Sequence, residues 1–191
     1  GLYLQADGSD EARARTLVEK TLEHHGRPDH VVNNAGTTER IPHADLAAVS
    51  DEVWRRILDV NLLGTWYVSR AAVDALRASR GSILNVTSIA GLRPTGSSIP
   101  YAVSKAAINH LTLLLANVLG PEVRVNAVAP GLIQTPWTAD WDQAHERVGA
   151  VAPLSRSGVP EDVAATAVGL MSAPYTTGQV VAVDGGLTLR A

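Results

Sequence analysis

Ser82-Ile83-Leu84-Asn85-Val86-Thr87 and Arg124-Val125-Asn126-Ala127-Val128 are short apolar runs that read as buried strands. Between them, Tyr101 to about Leu119 carries a helical period through Ile108, Leu111, Thr112, Leu115 and Val118. Strand, covering helix, strand is the crossover unit of a parallel sheet. Further out the same alternation continues. Leu2 to Ala6 reads as a short strand ending at Asp7, and Ser9-Asp10-Glu11 supplies an acidic first turn to a helix reaching about His24. Val31-Val32 is the core of a strand that stops in Asn33-Asn34-Ala35-Gly36. Ser50-Asp51-Glu52 opens a helical stretch to Ser79, too long to be one straight helix, with a kink or break expected between Asn61 and Gly64. Pro160-Glu161-Asp162 starts a last helix, and Gln179 to Val183 a last strand ending in Asp184-Gly185-Gly186. The expectation is a doubly wound α/β fold, three-layer α/β/α, with a parallel sheet covered on both faces.

At 191 residues the chain suits one domain, 1–191, with residues 136–157 as a lid segment inside it. Hydrophobic residues make up 46%, which excludes a disordered or fibrous composition, and a net charge of −3 with no basic run excludes a nucleic-acid footprint. Cysteine is absent, so disulfide and thiolate chemistry are excluded. The apolar stretches read as too interrupted to span a bilayer, no signal-peptide pattern opens the chain, and a soluble cytoplasmic protein is expected, with no membrane partner. The six histidines form no metal-ligand spacing, so no metal is expected.

Tyr101 and Lys105 stand four residues apart near the start of their helix and therefore share a face. A phenol beside an ammonium can donate and accept a proton, because a close cation favours phenolate. Lys105 is one of only two lysines, against fourteen arginines. Ser88 ends the Asn85-Val86-Thr87-Ser88 strand thirteen residues before Tyr101, and Asn61 lies twenty-seven residues before Ser88. Taken singly, Ser88 reads equally as a turn cap, Asn61 as a helix-break residue, and the Tyr/Lys pair as an ordinary surface spacing.

Taken together with Asn33-Asn34-Ala35-Gly36 and Pro130-Gly131, these motifs resemble, in order and spacing, the short-chain dehydrogenase/reductase family over Leu2 to Leu189. The resemblance implies an NAD- or NADP-dependent oxidoreductase that interconverts a secondary alcohol and a ketone. Tyr101 would be the general acid/base, and Ser88 would hold the substrate oxygen. Lys105 would lower the tyrosine pKa and bind the nicotinamide ribose, and Asn61 would hold a relay water. On the cofactor side it implies Asp7 near the adenine amino group, with an alternative reading as the N-cap of the next helix. Asn34, Ala35 and Gly36 would pass the cofactor, and Pro130, Gly131, Ile133 and Thr135 would lie beside the nicotinamide. The substrate pocket would be lined by Leu92, Ile99, Trp137 and Trp141, one tryptophan serving equally well as an anchor for the lid, with Arg93 at its mouth. That apolar lining implies a small or medium neutral carbonyl or alcohol.

Leu154 to Ala164 looks like the stretch common in 3-oxoacyl-reductase-like members, which other dehydrogenases share, so it leaves the substrate open. Such proteins are dimers or tetramers built partly through their two long helices, so a homotetramer or homodimer is expected. The glycine-rich turn that follows the first strand of such folds has no counterpart here. We therefore expect a chain lacking the first two βα units, through truncation or omitted disordered residues, the alternative being a true short form. The phosphate state of the cofactor is undetermined, since the positions that select it belong to those units. The rival function is a non-catalytic scaffold or ligand-binding relative that has lost cofactor binding.

Overall fold

A computed structural model describes residues 1–190. Four parallel strands, β1 (His30–Asn33), β2 (Ser82–Val86), β3 (Arg124–Pro130) and β4 (Val180–Val183), pair in sequence order. Helices α1 (Glu11–His25), α2 (Asp51–Leu58), α3 (Gly64–Ser79), α4 (Ile99–Leu119), α5 (Asp142–Val151) and α6 (Pro160–Ser172) connect and cover them. Val18, Ala72, Leu76, Leu115, Ala116 and Leu119 from α1, α3 and α4 close over Ile83 and Val125 as one core, while α6 packs on β2 and β3. Val125, Ala127, Val128 and Ala129 are fully buried, as a central parallel strand requires.

A buried polar ladder runs across these layers. Asn33 Nδ2 donates to Ser69 Oγ at 3.0 Å and to Asn85 Oδ1 at 2.8 Å, and Asn85 Nδ2 donates to Thr112 Oγ1 at 2.9 Å. Polar side chains this deep are tolerable because each finds a partner. They fix the register of β1 and β2 against α3 and α4.

Two expectations change. Leu2 to Ala6 carries no strand pairing; residues 1–7 are irregular and mostly exposed. The extended period is there, but β1 pairs only with β2, so these residues have no ladder to join among the described ones. Also, α4 is long and apolar enough to cross a membrane, with a mean hydropathy of 1.3. It is nevertheless a core helix, with Ser104, Lys105, Asn109 and Thr112 buried along its inner face. The exposed Val103, Leu113, Leu114 and Val118 on its outer face raise the hydropathy.

The expected break between Asn61 and Gly64 is a π-helical turn, Asp59–Leu63, which joins α2 to α3 without ending the helix. One wider turn leaves the backbone bonds out of the α register, a device common at functional sites.

Candidate active site

Open parallel sheets collect ligands at the carboxyl ends of their strands. Here those ends carry Asn34 after β1, Thr87 and Ser88 after β2, and the Pro130 to Thr135 strip at the end of β3. They line a cavity of about 1160 Å³ together with Tyr101, Lys105, Trp137 and Trp141.

Ser98 caps α4, accepting a hydrogen bond from Tyr101 N, and Pro100 lies in the first turn, where a missing N–H costs nothing. That helix start presents Tyr101 to the cavity. On the opposite wall Ser88 Oγ accepts from Ala90 N at 3.1 Å, which ties Ser88 into a short 3-10 turn, Ile89–Gly91. The Ser88 hydroxyl, facing the Tyr101 phenol across the cavity, favours phenolate, but burial is the larger effect and holds the phenol above its ordinary value.

Lys105 is 4% exposed, and Nζ donates to Val86 O at 3.0 Å. Burial pulls its pKa down to about 8. The ammonium lies 5.7 Å from the Tyr101 ring centroid. The expected lowering of the tyrosine pKa by Lys105 is therefore not the dominant effect here: desolvation of the phenol outweighs a cation that burial itself weakens.

Asn61 is fully buried, and its carboxamide is committed to protein partners. Nδ2 donates to Thr37 O at 3.0 Å and to Ser104 Oγ at 2.9 Å, while Oδ1 accepts from Thr37 N at 2.7 Å. Its backbone carbonyl takes the Thr65 hydroxyl at 2.7 Å. Asn61 thus pins the loop after β1 to the π-turn and to α4. Gly36 sits in this junction: a Cβ there would lie 3.4 Å from Asn61 Oδ1 and 3.7 Å from Lys105 Nζ.

The Pro130 to Thr135 strip is tied back to the chain by its own hydrogen bonds. Gly158 N donates to Leu132 O and Gln134 N to Gly158 O, while Ile133 O accepts from Thr138 Oγ1. The Ile133 N–H stands outside this set of bonds, beside the cavity. Gly131 allows the strip to run against Asp184, where a Cβ would come within 2.9 Å.

Several expected site residues fall elsewhere. Asp7 neither lines the cavity nor caps α1. Its carboxylate accepts from Ser9 N and Ser9 Oγ, which hold it below the ordinary carboxylate range, and Asp10 is the N-cap. Ala35 is exposed and outside the lining. Leu92 and Ile99 also lie outside it, because the 3-10 turn sends Leu92 to the surface at 41% exposure and the Ser98 cap turns Ile99 away. Arg93 is exposed and is not the cation at the cavity.

Instead, Arg40 and Arg147 line it, and no carboxylate does. Arg40 stacks over Trp141 with Cζ 4.8 Å from the ring centroid, joining the loop after β1 to the lid. Trp137 meets the Tyr101 ring edge to face at 6.5 Å. The lid is held from beneath by His145, with Nδ1 2.8 Å from Ser157 Oγ and Nε2 3.1 Å from Thr138 O. No pattern in the sequence points to Arg40 or Arg147, since each stands outside any motif. Among the described residues no cluster of metal-ligating side chains occurs.

Comparison with known proteins places this geometry. The family model described as enoyl-(acyl carrier protein) reductase matches residues 2–188. A Streptomyces violaceoruber protein named ketoacyl reductase 2 of a granaticin polyketide synthase is 58% identical over 98% of this chain and 77% of its own length. The 3-oxoacyl-(acyl-carrier-protein) reductase FabG of Thermotoga maritima is 39% identical over 95% of this chain and 74% of its own. Among solved structures, ElxO with NADP bound superposes with a TM-score of 0.90 at 28% identity, covering 98% of this chain and 78% of that one. A parallel sheet whose strand ends gather a serine, a tyrosine and a buried lysine at one cavity, in a chain this similar to those enzymes, belongs to the short-chain dehydrogenase/reductase family of NAD(P)-dependent oxidoreductases acting on carbonyl and alcohol substrates.

Proposed function

We propose that the carbonyl or alcohol carbon reacts beside Tyr101 and Ser88, and that the substrate is a 3-oxoacyl or 3-hydroxyacyl thioester, or a close analogue, with a neutral reacting end and an anionic group farther out. The observation that carries this reading is the cavity lining: Trp137, Trp141, Leu132 and Ile133 offer apolar area, while Arg40 and Arg147 stand among them with no carboxylate to oppose them. This departs from the neutral substrate expected from an apolar lining of Leu92, Ile99, Trp137 and Trp141, since Leu92 and Ile99 lie outside the cavity and two arginines line it. Support also comes from the names of two relatives, one a ketoacyl reductase of a polyketide synthase and the other a 3-oxoacyl-(acyl-carrier-protein) reductase.

Within this reading Tyr101 exchanges the proton with the substrate oxygen, and Ser88 Oγ holds that oxygen near the phenol as charge develops on it. Lys105 offers the N–H directions left over from Val86 O to ribose hydroxyls. Asn61 holds Thr37 and Ser104, and through Ser104 the helix that carries Lys105, in register. Ile133 N–H and Thr135 are the groups for the carboxamide. The nicotinamide, when bound, supplies or accepts the hydride. Both NAD and NADP remain within the reading.

The exposed Leu113, Leu114 and Val118 on α4 and Leu63 beside α3 support a homodimer or homotetramer through the two long helices. A cytoplasmic location accords with the nicotinamide pool such an enzyme would draw on. The test is a panel of ketones, alcohols and acyl thioesters, assayed with both cofactors at the nicotinamide absorbance. Acyl thioesters should lead it. Turnover confined to sugars or polyols would reject the thioester assignment. A scaffold without redox chemistry would bind neither cofactor.

A further inference from the structure

We propose that Asn109 is a positioning residue for the reaction: its amide clamps the turn that carries Ser88 onto α4 and so sets the Ser88 hydroxyl opposite the Tyr101 phenol. The inference rests on the roles of Ser88 and Tyr101 given above and adds a residue to them.

Tyr101, Lys105 and Asn109 follow one another at four-residue steps, so they form one stripe on the inner face of α4. The first two face the cavity. The third reaches the chain just beyond Ser88: Asn109 Nδ2 donates to Gly91 O at 3.1 Å. Gly91 N in turn donates to Ser88 O at 2.9 Å, and Ser88 Oγ accepts from Ala90 N at 3.1 Å. The path from Asn109 to the Ser88 hydroxyl is therefore one side-chain bond and one tight turn.

The contact between that turn and the helix is also close. A Cβ on Gly91 would fall 2.6 Å from Lys105 C, 2.7 Å from Ala106 N and 2.8 Å from Asn109 Nδ2. The backbone of the turn thus rests directly on the backbone of the helix segment carrying Lys105. With Gly91 removing the spacer and Asn109 providing the directional bond, the two walls of the site are joined at a defined separation.

Stability does not require an amide at this place. Asn109 is 9% exposed, and its Oδ1 is buried without a partner. A buried acceptor left unpaired costs free energy, whereas an apolar side chain of similar size would carry no such penalty. The amide orientation follows from its partner: turning it over would set Oδ1 against the Gly91 carbonyl. An interior helix position that retains a half-satisfied amide is accounted for by what its satisfied half holds. What it holds is the Ser88 turn.

The test uses full-length protein with Asn109→Leu, which keeps the volume and deletes the donor. Asn109→Ala serves as the second variant should leucine disturb the fold. The first readout needs no substrate: the 13Cζ resonance of Tyr101 in tyrosine-labelled protein, assigned with Tyr101→Phe, reports the hydrogen bond at the phenol oxygen. In both Asn109 variants that resonance should move toward its position in Ser88→Ala.

The second readout is a double-mutant cycle in kcat, run on the panel ketone or thioester that the wild type turns over fastest. Displacing a reacting group by about an ångström costs up to ~100-fold in rate. Asn109→Leu should lower kcat by 10- to 100-fold with KM little changed, and should add almost nothing in the Ser88→Ala background. A wild-type Tyr101 resonance in both Asn109 variants, with Ser88→Ala shifted, would overturn the proposal. So would an equal loss of kcat in the two backgrounds. If Ser88→Ala itself leaves both the resonance and kcat unchanged, the failure lies with the assignment of Ser88 and removes this inference with it.

Discussion

Asn61 Nδ2 donates to Ser104 Oγ at 2.9 Å, and Ser104 Oγ donates to Tyr101 O at 2.7 Å, so the π-turn is fastened to α4 between its tyrosine and its lysine. Both side chains are fully buried. The relation explains how a residue in one long helix governs the geometry of another: Asn61 contributes through the partners it holds, and its carboxamide has little left for a ligand.

Ser104→Ala should reveal that fastening. It leaves one Asn61 N–H buried without its acceptor, a loss of about 1–3 kcal/mol. Urea unfolding should show a lower midpoint with an unchanged slope. A midpoint equal to the wild type would mean that Asn61 finds another acceptor and that the Ser104 bond contributes nothing to stability.

Tyr101→Phe should lower kcat by about 10²–10⁴-fold, the usual contribution of a positioned acid or base. Fluorescence titration with NADH and NADPH should give affinities close to those of the wild type, because the phenyl ring keeps its packing against Trp137. Near-normal turnover would remove Tyr101 from the acid/base role.

The buried lysine gives a pH-dependent prediction. Its folded pKa, about 8, lies below the ordinary 10.5, so the unfolded chain binds more protons between those values and stability rises with pH across that window. Below pH 8 the folded state carries the full cost of a buried charge, on the order of 3 kcal/mol. Lys105→Met should therefore raise the thermal midpoint at pH 7, and the advantage should fade as pH approaches 10.5. Activity should be lost at every pH. Tyr101 acts oppositely: its raised pKa leaves stability untouched below pH 10 and erodes it above. A Lys105→Met midpoint below wild type at pH 7 would show that the Val86 O bond outweighs desolvation.

Much of this site is legible in the sequence because its members sit on regular elements. Ser88 follows a buried strand, and Tyr101 and Lys105 share one helical stripe, so period alone fixes their direction. Asn61 was legible as a discontinuity in an overlong helix. Residues on irregular backbone were not: Asp7, Leu92 and Ile99 have directions set by an Asx-type turn, a 3-10 turn and a cap that only tertiary contacts select. Asn109 lies one helical step past Lys105, so its face could be read from sequence, but its partner Gly91 could not. Arg40 and Arg147 are far apart in the chain and meet only at the finished cavity.

Those two arginines supply the last prediction. Arg40 is exposed but stacked on Trp141, and Arg147 projects from α5, so both cations border the cavity from its outer side rather than from the sheet. Charges in such positions act on remote parts of a ligand and leave the reacting carbon alone, so their effect should fall on binding. Arg40→Ala combined with Arg147→Ala should raise KM for thioesters bearing phosphate groups by about 10-fold or more, equivalent to roughly 1.4 kcal/mol. The same variant should keep its KM for uncharged cyclic ketones and its kcat for both. Added salt should mimic the substitution in the wild type, since exposed charges are screened. Single replacement of Trp141 by leucine separates charge from packing: it removes the stacking surface and keeps Arg40, so its effect on charged thioesters should be the smaller one. Equal loss on charged and uncharged substrates would assign Arg40 and Arg147 to lid packing and return the substrate to the neutral class.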